Sequence, residues 1–137
     1  MENRVVRLTG RYTPRRQEVI EQLKEKLAIW DAQLLYERSI GDTVDLLVFQ
    51  KYYFRTKSYC CLSIVLASES HEMSAELVAS GQDLDGYFRD AGAGAEFLRD
   101  AVDVLQTLGF SGEQEDWLAE NERNGLLSAV KTWWRKE

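Results

Sequence analysis

The sequence predicts an α+β fold, in which an antiparallel meander sheet of four to five strands has helices packed on it. Three observations support this class. Residues 43–54 and 58–67 are crowded with β-branched and aromatic side chains and flank a short basic turn, which is typical of a long β-hairpin. Residues 71–80 alternate between apolar and polar types, as a strand with one solvated side does. Two further segments, residues 14–31 and 93–108, repeat apolar residues at helical spacing.

The elements are expected in the order β-α-β-β-β-β-α-α. A short first strand within residues 2–12 is followed by a helix, which Thr13 can cap and in which Pro14 suits the first helical position. The apolar stripe of this helix is expected to comprise Val19, Ile20, Leu23, Leu27 and Trp30. A strand at residues 32–40, the hairpin and the strand at 71–80 then give four consecutive strands joined by short turns, which is a meander.

The first strand of the hairpin is apolar on both of its sides. Leu47 and Phe49 point one way, and Val44, Leu46 and Val48 point the other. A sheet with one face in water would carry polar residues on that face, so the sequence predicts that both faces are covered. The first two helices are expected on one face, and a third helix or a second subunit on the other.

The last part of the chain is expected to be helical. The second helix is predicted to end at Gly109, which suits the left-handed position that follows a helix. Ser111 then begins a pattern that resembles the capping box of a third helix. This third segment contains three of the four tryptophans, namely Trp117, Trp133 and Trp134. We therefore expect a core domain at residues 1–110 and a helical extension at 111–137 that packs on the core or on a partner subunit.

Composition narrows the class of protein. The net charge of −6 argues against nucleic acid as a partner, because nucleic-acid binding needs a dense basic surface. The chain opens on charged residues rather than an apolar signal, and its longest nearly apolar run, residues 60–67, is too short to cross a bilayer. A cytoplasmic location without a membrane partner is the resulting expectation. One histidine and two adjacent cysteines give no zinc signature, and neither a metal nor a cofactor is expected.

Histidine and cysteine provide the candidates for catalysis. His71 lies beside two glutamates and could act as a general base, and Cys60 or Cys61 could supply a nucleophile. The favoured interpretation is a histidine at the end of a strand and two reduced structural thiols on opposite faces of a strand. Whether the protein is an enzyme stays open, with a non-catalytic role favoured.

A glycine- and aspartate-rich segment between the last predicted strand and the second helix is the candidate ligand-binding loop. Its candidate residues are Gly81, Asp83, Asp85, Gly92 and Gly94. The backbone N–H groups at the start of the helix could bind an anion. The dinucleotide pattern GxGxxG fails at Phe97, and a calcium loop fails because glycines occupy its first and last ligand positions. A flexible connection is the alternative interpretation.

Aromatic and cationic residues gather at the tip of the hairpin, where they suit either an interface or cross-strand packing with charge protecting the edge. The interface candidates across the chain are large apolar and aromatic residues. They are Leu47, Phe49, Tyr53, Trp117, Trp133 and Trp134.

Two neighbouring runs carry a resemblance to a known pattern. Residues 49–55, with the sequence FQKYYFR, and residues 58–64, with the sequence SYCCLSI, resemble a family of small uncharacterised bacterial proteins, a domain of unknown function. The similarity covers residues 5–110 and implies an α+β fold without an assigned activity. The sheet that is apolar on both sides, the tryptophan-rich last segment and the lack of a convergent catalytic set predict a small soluble interaction or scaffold module that is homo-oligomeric, with a dimer favoured. Binding of a small ligand or an anion by the loop at residues 81–94 is the alternative function.

Overall fold

The protein is α+β: in the part of the chain that the structure describes, one antiparallel sheet packs against two helices. The computed structural model describes residues 4–54, 57–81 and 93–112. The elements are β1 (Arg4–Gly10), α1 (Arg16–Ile29), β2 (Gln33–Ile40), β3 (Val44–Tyr53), β4 (Ser58–Ser68), β5 (Met73–Gly81), α2 (Ala93–Thr107) and β6 (Ser111–Gly112). The strands lie in the order β2-β3-β4-β5-β1-β6, and every neighbouring pair is antiparallel. The long hairpin, β3 and β4, is confirmed to within one residue at each end.

The predicted strand number and element order are wrong at one side of the sheet. Strands β2 to β5 form the expected meander, but the described residues form a sheet of six strands because β1 pairs with β5 and β6 pairs with β1. In β6, Ser111 lies opposite Thr9 and Gly112 lies opposite Leu8, so Ser111 belongs to a strand and does not cap a helix. A strand of two residues is too short to show any periodicity, which is why the sequence pattern missed it. The predicted third helix, with its three tryptophans, lies outside the described residues.

Both helices pack on the same face of the sheet and form the core there. Val19, Ile20, Leu23 and Leu27 of α1 are all buried, as the helical spacing predicted. They meet strand residues such as Leu47, Leu62 and Leu77, which are also buried. Helix α2 adds Phe97, Leu98, Ala101, Val102 and Leu105 to this core. Full burial of each such aliphatic or aromatic side chain contributes about 1.5–3 kcal/mol, so this face is the main source of stability.

The beginning of α1 differs from the sequence prediction. The helix begins at Arg16 rather than at Pro14, and the residue in the N-cap position is Arg15, which makes no side-chain capping hydrogen bond. Thr13 lies three residues before the helix and therefore does not cap it. The guanidinium of Arg16 instead fastens the first turn of the helix to the end of the sheet, through hydrogen bonds to Asp45, to Ser68 and to the carbonyl of Asp42.

Each helix is followed by a residue whose backbone adopts the left-handed conformation. Gly109 follows α2 with a φ of 101°, and the N–H of Phe110 donates to the carbonyl of Leu105, so the predicted glycine stop is confirmed. After α1 the same position is taken by Asp31 with a φ of 70°, which is uncommon for a residue other than glycine. Trp30, expected in the apolar stripe, lies beyond the last turn of α1 and is partly exposed.

Candidate interaction surface

The two faces of the sheet differ in what covers them. Residues directly opposite each other in an antiparallel pair share a face. The pair Leu47–Ile64 is completely buried under the helices, whereas the adjacent pair Leu46–Val65 lies on the other side of the sheet. In the described ranges neither helix packs on that other side, which we call the open face. Its apolar residues on β2 to β5 are Tyr36, Ile40, Val44, Leu46, Val48, Tyr52, Tyr59, Val65, Ala67 and Val78, and its charged residues there are Arg38 and Glu76.

The open face is apolar and accessible. Tyr36, Ile40 and Tyr59 are each about half exposed, at 47%, 50% and 52%, and Val65 is 36% exposed. Val44, Leu46 and Val48 along the middle strand are only partly covered. An extended apolar area of this kind, with few charges, marks a site of contact with another protein chain or a ligand more often than a surface in water.

The edge of the sheet at β2 is less suited to binding a partner strand. All eight residues of β2 are exposed, which is the usual condition of an edge. Its pairing with β3 shifts register between Leu34 and Tyr36, so the strand contains a bulge. Lys24 of α1 lies 2.7 Å from Glu37 on this strand and places a charged pair beside the edge. Bulges and charges are the devices that protect edge strands from pairing with other chains, which leaves the face as the better binding surface.

The most buried carboxylate of the described residues serves the fold. Asp45 is 4% exposed and accepts hydrogen bonds from the hydroxyl of Ser39 and from the guanidinium of Arg16. Burial raises its pKa, but these two hydrogen bonds, with the charges of Arg16 and Lys24, outweigh burial and hold the pKa of Asp45 below its ordinary value. Both carboxylate oxygens are therefore engaged within the chain, and Asp45 is a structural anchor rather than a base.

A second polar pair joins β3 to α2. Lys51 on β3 and Asp100 on α2 approach to 4.0 Å and are both mostly buried, and the Lys51 ammonium lies 4.9 Å from the centre of the Tyr53 ring. Burial raises the pKa of Asp100, the charges of Lys51 and Arg99 oppose the shift, and Glu96 adds to it.

Of the predicted loop residues, Gly81 ends β5 and Gly94 lies in the first turn of α2. The remaining three, Asp83, Asp85 and Gly92, lie outside the described residues. Within the ranges that the structure describes, no three carboxylate, histidine or cysteine side chains gather as metal ligands. Ligand or anion binding by this loop therefore stays a prediction.

The structure keeps the histidine and the thiols apart. His71 lies in the turn between β4 and β5, in an open groove of about 680 Å³ that it shares with Arg11, Tyr12 and Glu72. Cys60 and Cys61 lie opposite Gly81 and Ser80, at the other end of the same two strands. At about 3.3 Å per residue, the distance along β4 from the cysteines to its end at Ser68 is roughly 23–26 Å, too far for a nucleophile and its base. Both thiols are reduced; Cys60 is buried under the helices and Cys61 is partly exposed on the open face, as the strand alternation predicted.

The predicted interface residues that the structure describes lie in the core of the chain itself. Leu47, Phe49 and Tyr53 are buried against the helices, at most 6% exposed. Trp117, Trp133 and Trp134 lie outside the described residues. The surface available to a partner is instead formed by the alternate residues of the same strand. The alternation of apolar and polar residues in β5 could have shown which side of β3 is covered. The apolar side of β5 must face the core, and its Ala79 lies in one row with Leu62 of β4 and Phe49 of β3.

Comparison of the chain with models of protein families and with curated proteins gives no match. The resemblance to a bacterial domain of unknown function therefore stays a prediction. Among the described residues, neither helix combines the length and apolar character that crossing a bilayer requires.

Proposed function

We propose that this protein is a non-catalytic interaction module that associates with a second copy of itself through the open face. The observation that carries the proposal is the exposed apolar surface on the side of β2 to β5 opposite the helices. Water contact with these side chains is unfavourable, and burial of apolar area is the main driving force of association.

The size of the open face fits a dimer interface. Four strands about 4.8 Å apart, with about eight residues at 3.3 Å each, give roughly 500 Å² of flat sheet per copy. Two such faces in contact would bury more than roughly 1,000 Å², which is the size at which protein interfaces become specific. The bulged and charged edge at β2 offers much less apolar area, so face-to-face association is the better arrangement.

The proposal is tested by placing a charge at the centre of the open face. Val65→Glu is expected to abolish association, because it would bury an unpaired carboxylate between two apolar surfaces. The matched control is Ile29→Glu, since Ile29 is 67% exposed at the end of α1 and lies away from the open face. Light scattering on the full chain should give twice the 15.8 kDa chain mass for the natural protein and the control, and the single mass for Val65→Glu. Circular dichroism should show that all three are folded.

The same experiment can refute the proposal. If the natural chain has the mass of one copy across the whole concentration range, the open face does not bind a second copy. If Val65→Glu keeps the dimer mass, the copies associate through another surface.

A further inference from the structure

We infer that the two copies pack face to face about a two-fold axis parallel to the strands, with Arg38 of each copy opposite Glu76 of the other. This inference rests on the proposed function and specifies its geometry. It follows from a row of side chains that crosses the open face at one height.

The row is given by the strand register. Arg38 on β2 lies opposite Leu46 on β3, Leu46 opposite Val65 on β4, and Val65 opposite Glu76 on β5. Arg38 and Glu76 are the only charged side chains that β2 to β5 place on the open face. Within β2 to β5 a positive charge therefore stands at one end of an apolar row and a negative charge at the other, three strand spacings or roughly 14 Å apart. The row continues on β1 to Arg7, which lies opposite Glu76.

Symmetry decides which residues meet. A dimer contact uses the same surface on both copies, so residue i meets residue j twice. An axis parallel to the strands and centred between β3 and β4 reverses the strand order but keeps each row at its height. Strand β2 then faces β5, β3 faces β4, and each interface contains two Arg38–Glu76 pairs. An axis in the plane of the sheet but across the strands, passing along this row, would put Arg38 against Arg38, and like charges in contact oppose association.

The neighbouring rows also fit this axis. At two heights in the central pair of strands a larger side chain of one copy faces a smaller side chain of the other, namely Val44 against Ala67 and Val48 against Ser63. Interdigitation of large and small side chains is how two sheets fill the space of about 10 Å between them.

The acidic partner is already oriented for this contact. Arg7 of the same chain lies 3.1 Å from Glu76, with its Nε against Oε2, and both side chains are more than half exposed. An exposed pair of this kind adds little stability to a monomer, but it holds the carboxylate at the surface of the open face. The other carboxylate oxygen can accept hydrogen bonds from a second guanidinium.

The test uses two single variants and their mixture. Arg38→Glu places a carboxylate against Glu76 of the other copy, and Glu76→Arg places two guanidinium groups together. Each variant alone is expected to raise the Kd of the dimer by about tenfold or more, because like charges then meet twice in the interface. In a 1:1 mixture, one chain of each kind restores both opposite-charge pairs. Sedimentation velocity should then show a mixed dimer with a Kd within about threefold of the natural one, because both opposite-charge pairs are present again.

The outcomes separate this inference from the proposed function. A natural Kd for Arg38→Glu, or a mixture that associates no better than its components, overturns the arrangement. If Val65→Glu still breaks the dimer in that case, the open face remains the interface with a different register. If the natural chain is a monomer whose open face is covered by its own residues 113–137, both the inference and the proposed function fail.

Discussion

The guanidinium of Arg16 and the carboxylate of Asp45 join the first turn of α1 to the beginning of β3, with Nε 2.5 Å from Oδ2. The Arg16 side chain also donates to the Ser68 hydroxyl at 2.6 Å and to the Asp42 carbonyl at 2.8 Å. One arginine therefore connects the helix to the β2–β3 turn, to the beginning of β3 and to the end of β4. Because Asp45 lies on the same face of β3 as Leu47 and Phe49, the pair holds the beginning of α1 against the covered face of the sheet.

Asp45→Asn is expected to lower the free energy of unfolding at pH 7 by about 3 kcal/mol, the scale for breaking a buried ion pair by removal of one partner. The pKa of Asp45 is lowered in the folded state, so its contribution is complete above the unfolded value of about 3.9 and is lost as the pH falls through the folded pKa. The difference between the natural chain and the variant should therefore shrink below about pH 4.

Urea titrations at several pH values provide the measurement. The matched control is Asp42→Asn, because Arg16 uses the backbone carbonyl of Asp42 and that group is unchanged. A stability difference for Asp45→Asn that stays constant from pH 7 to pH 2 would contradict the assigned role of this carboxylate.

Neighbouring residues on β3 should differ in how much their truncation destabilises the monomer, because one faces the core and the other faces the open side. Leu47→Ala should destabilise the monomer by about 3 kcal/mol, as a large core truncation does. Leu46→Ala should cost about 1 kcal/mol or less in the monomer, since Leu46 is only partly buried. Chemical denaturation in the Val65→Glu background, which removes association, would measure both. Equal losses would show that the open face is as well covered as the helix face.

Gly109 and Gly41 provide a comparison of two left-handed glycines. Both have positive φ, at 101° and 66°, so alanine is strained at either position. A Cβ at Gly109 would also lie 3.3 Å from the Tyr12 carbonyl oxygen, whereas a Cβ at Gly41 meets nothing within 4 Å. Gly41→Ala should cost about 1 kcal/mol and Gly109→Ala about 1 kcal/mol more. Thermal unfolding that ranks Gly41→Ala as the more damaging change would contradict the close approach of the α2 end to residue 12.

The sequence pattern predicted the elements better than their arrangement. Local alternation and helical spacing located five strands and two helices, because an element with one buried side repeats apolar residues along the sequence with the period of that element. The place of β1 beside β5 could not be read in this way, since strand pairing depends on contacts distant in sequence such as Val6 with Leu77. The start of α1 was misplaced because Arg16 is held by three partners far along the chain, while Thr13 and Pro14 offered only a local signal.

The candidate site was predicted only in part. The apolar character of both sides of β3 indicated that a second surface exists, and Val44, Leu46 and Val48 were correctly separated from Leu47 and Phe49. The described residues predicted for an interface, Leu47, Phe49 and Tyr53, lie on the covered side, because a large apolar side chain suits a core as well as an interface and only the register with β5 separates the two. Charge complementarity between Arg38 and Glu76 could not be seen before the strand register was known, since these residues are 38 positions apart in sequence.

Cys61 offers the most direct measurement of whether a second copy covers the open face. Cys61 lies on β4, one of the two middle strands of that face, and the proposed arrangement places it against Gln50 of the other copy. Cys60 is buried under the helices, so it provides an internal reference for a thiol that the reagent does not reach. The rate at which a maleimide modifies Cys61 should fall as the protein concentration rises through the Kd of the dimer, and Arg38→Glu should shift this fall to concentrations about tenfold higher or more. A modification rate that is the same at every concentration would contradict self-association through the open face.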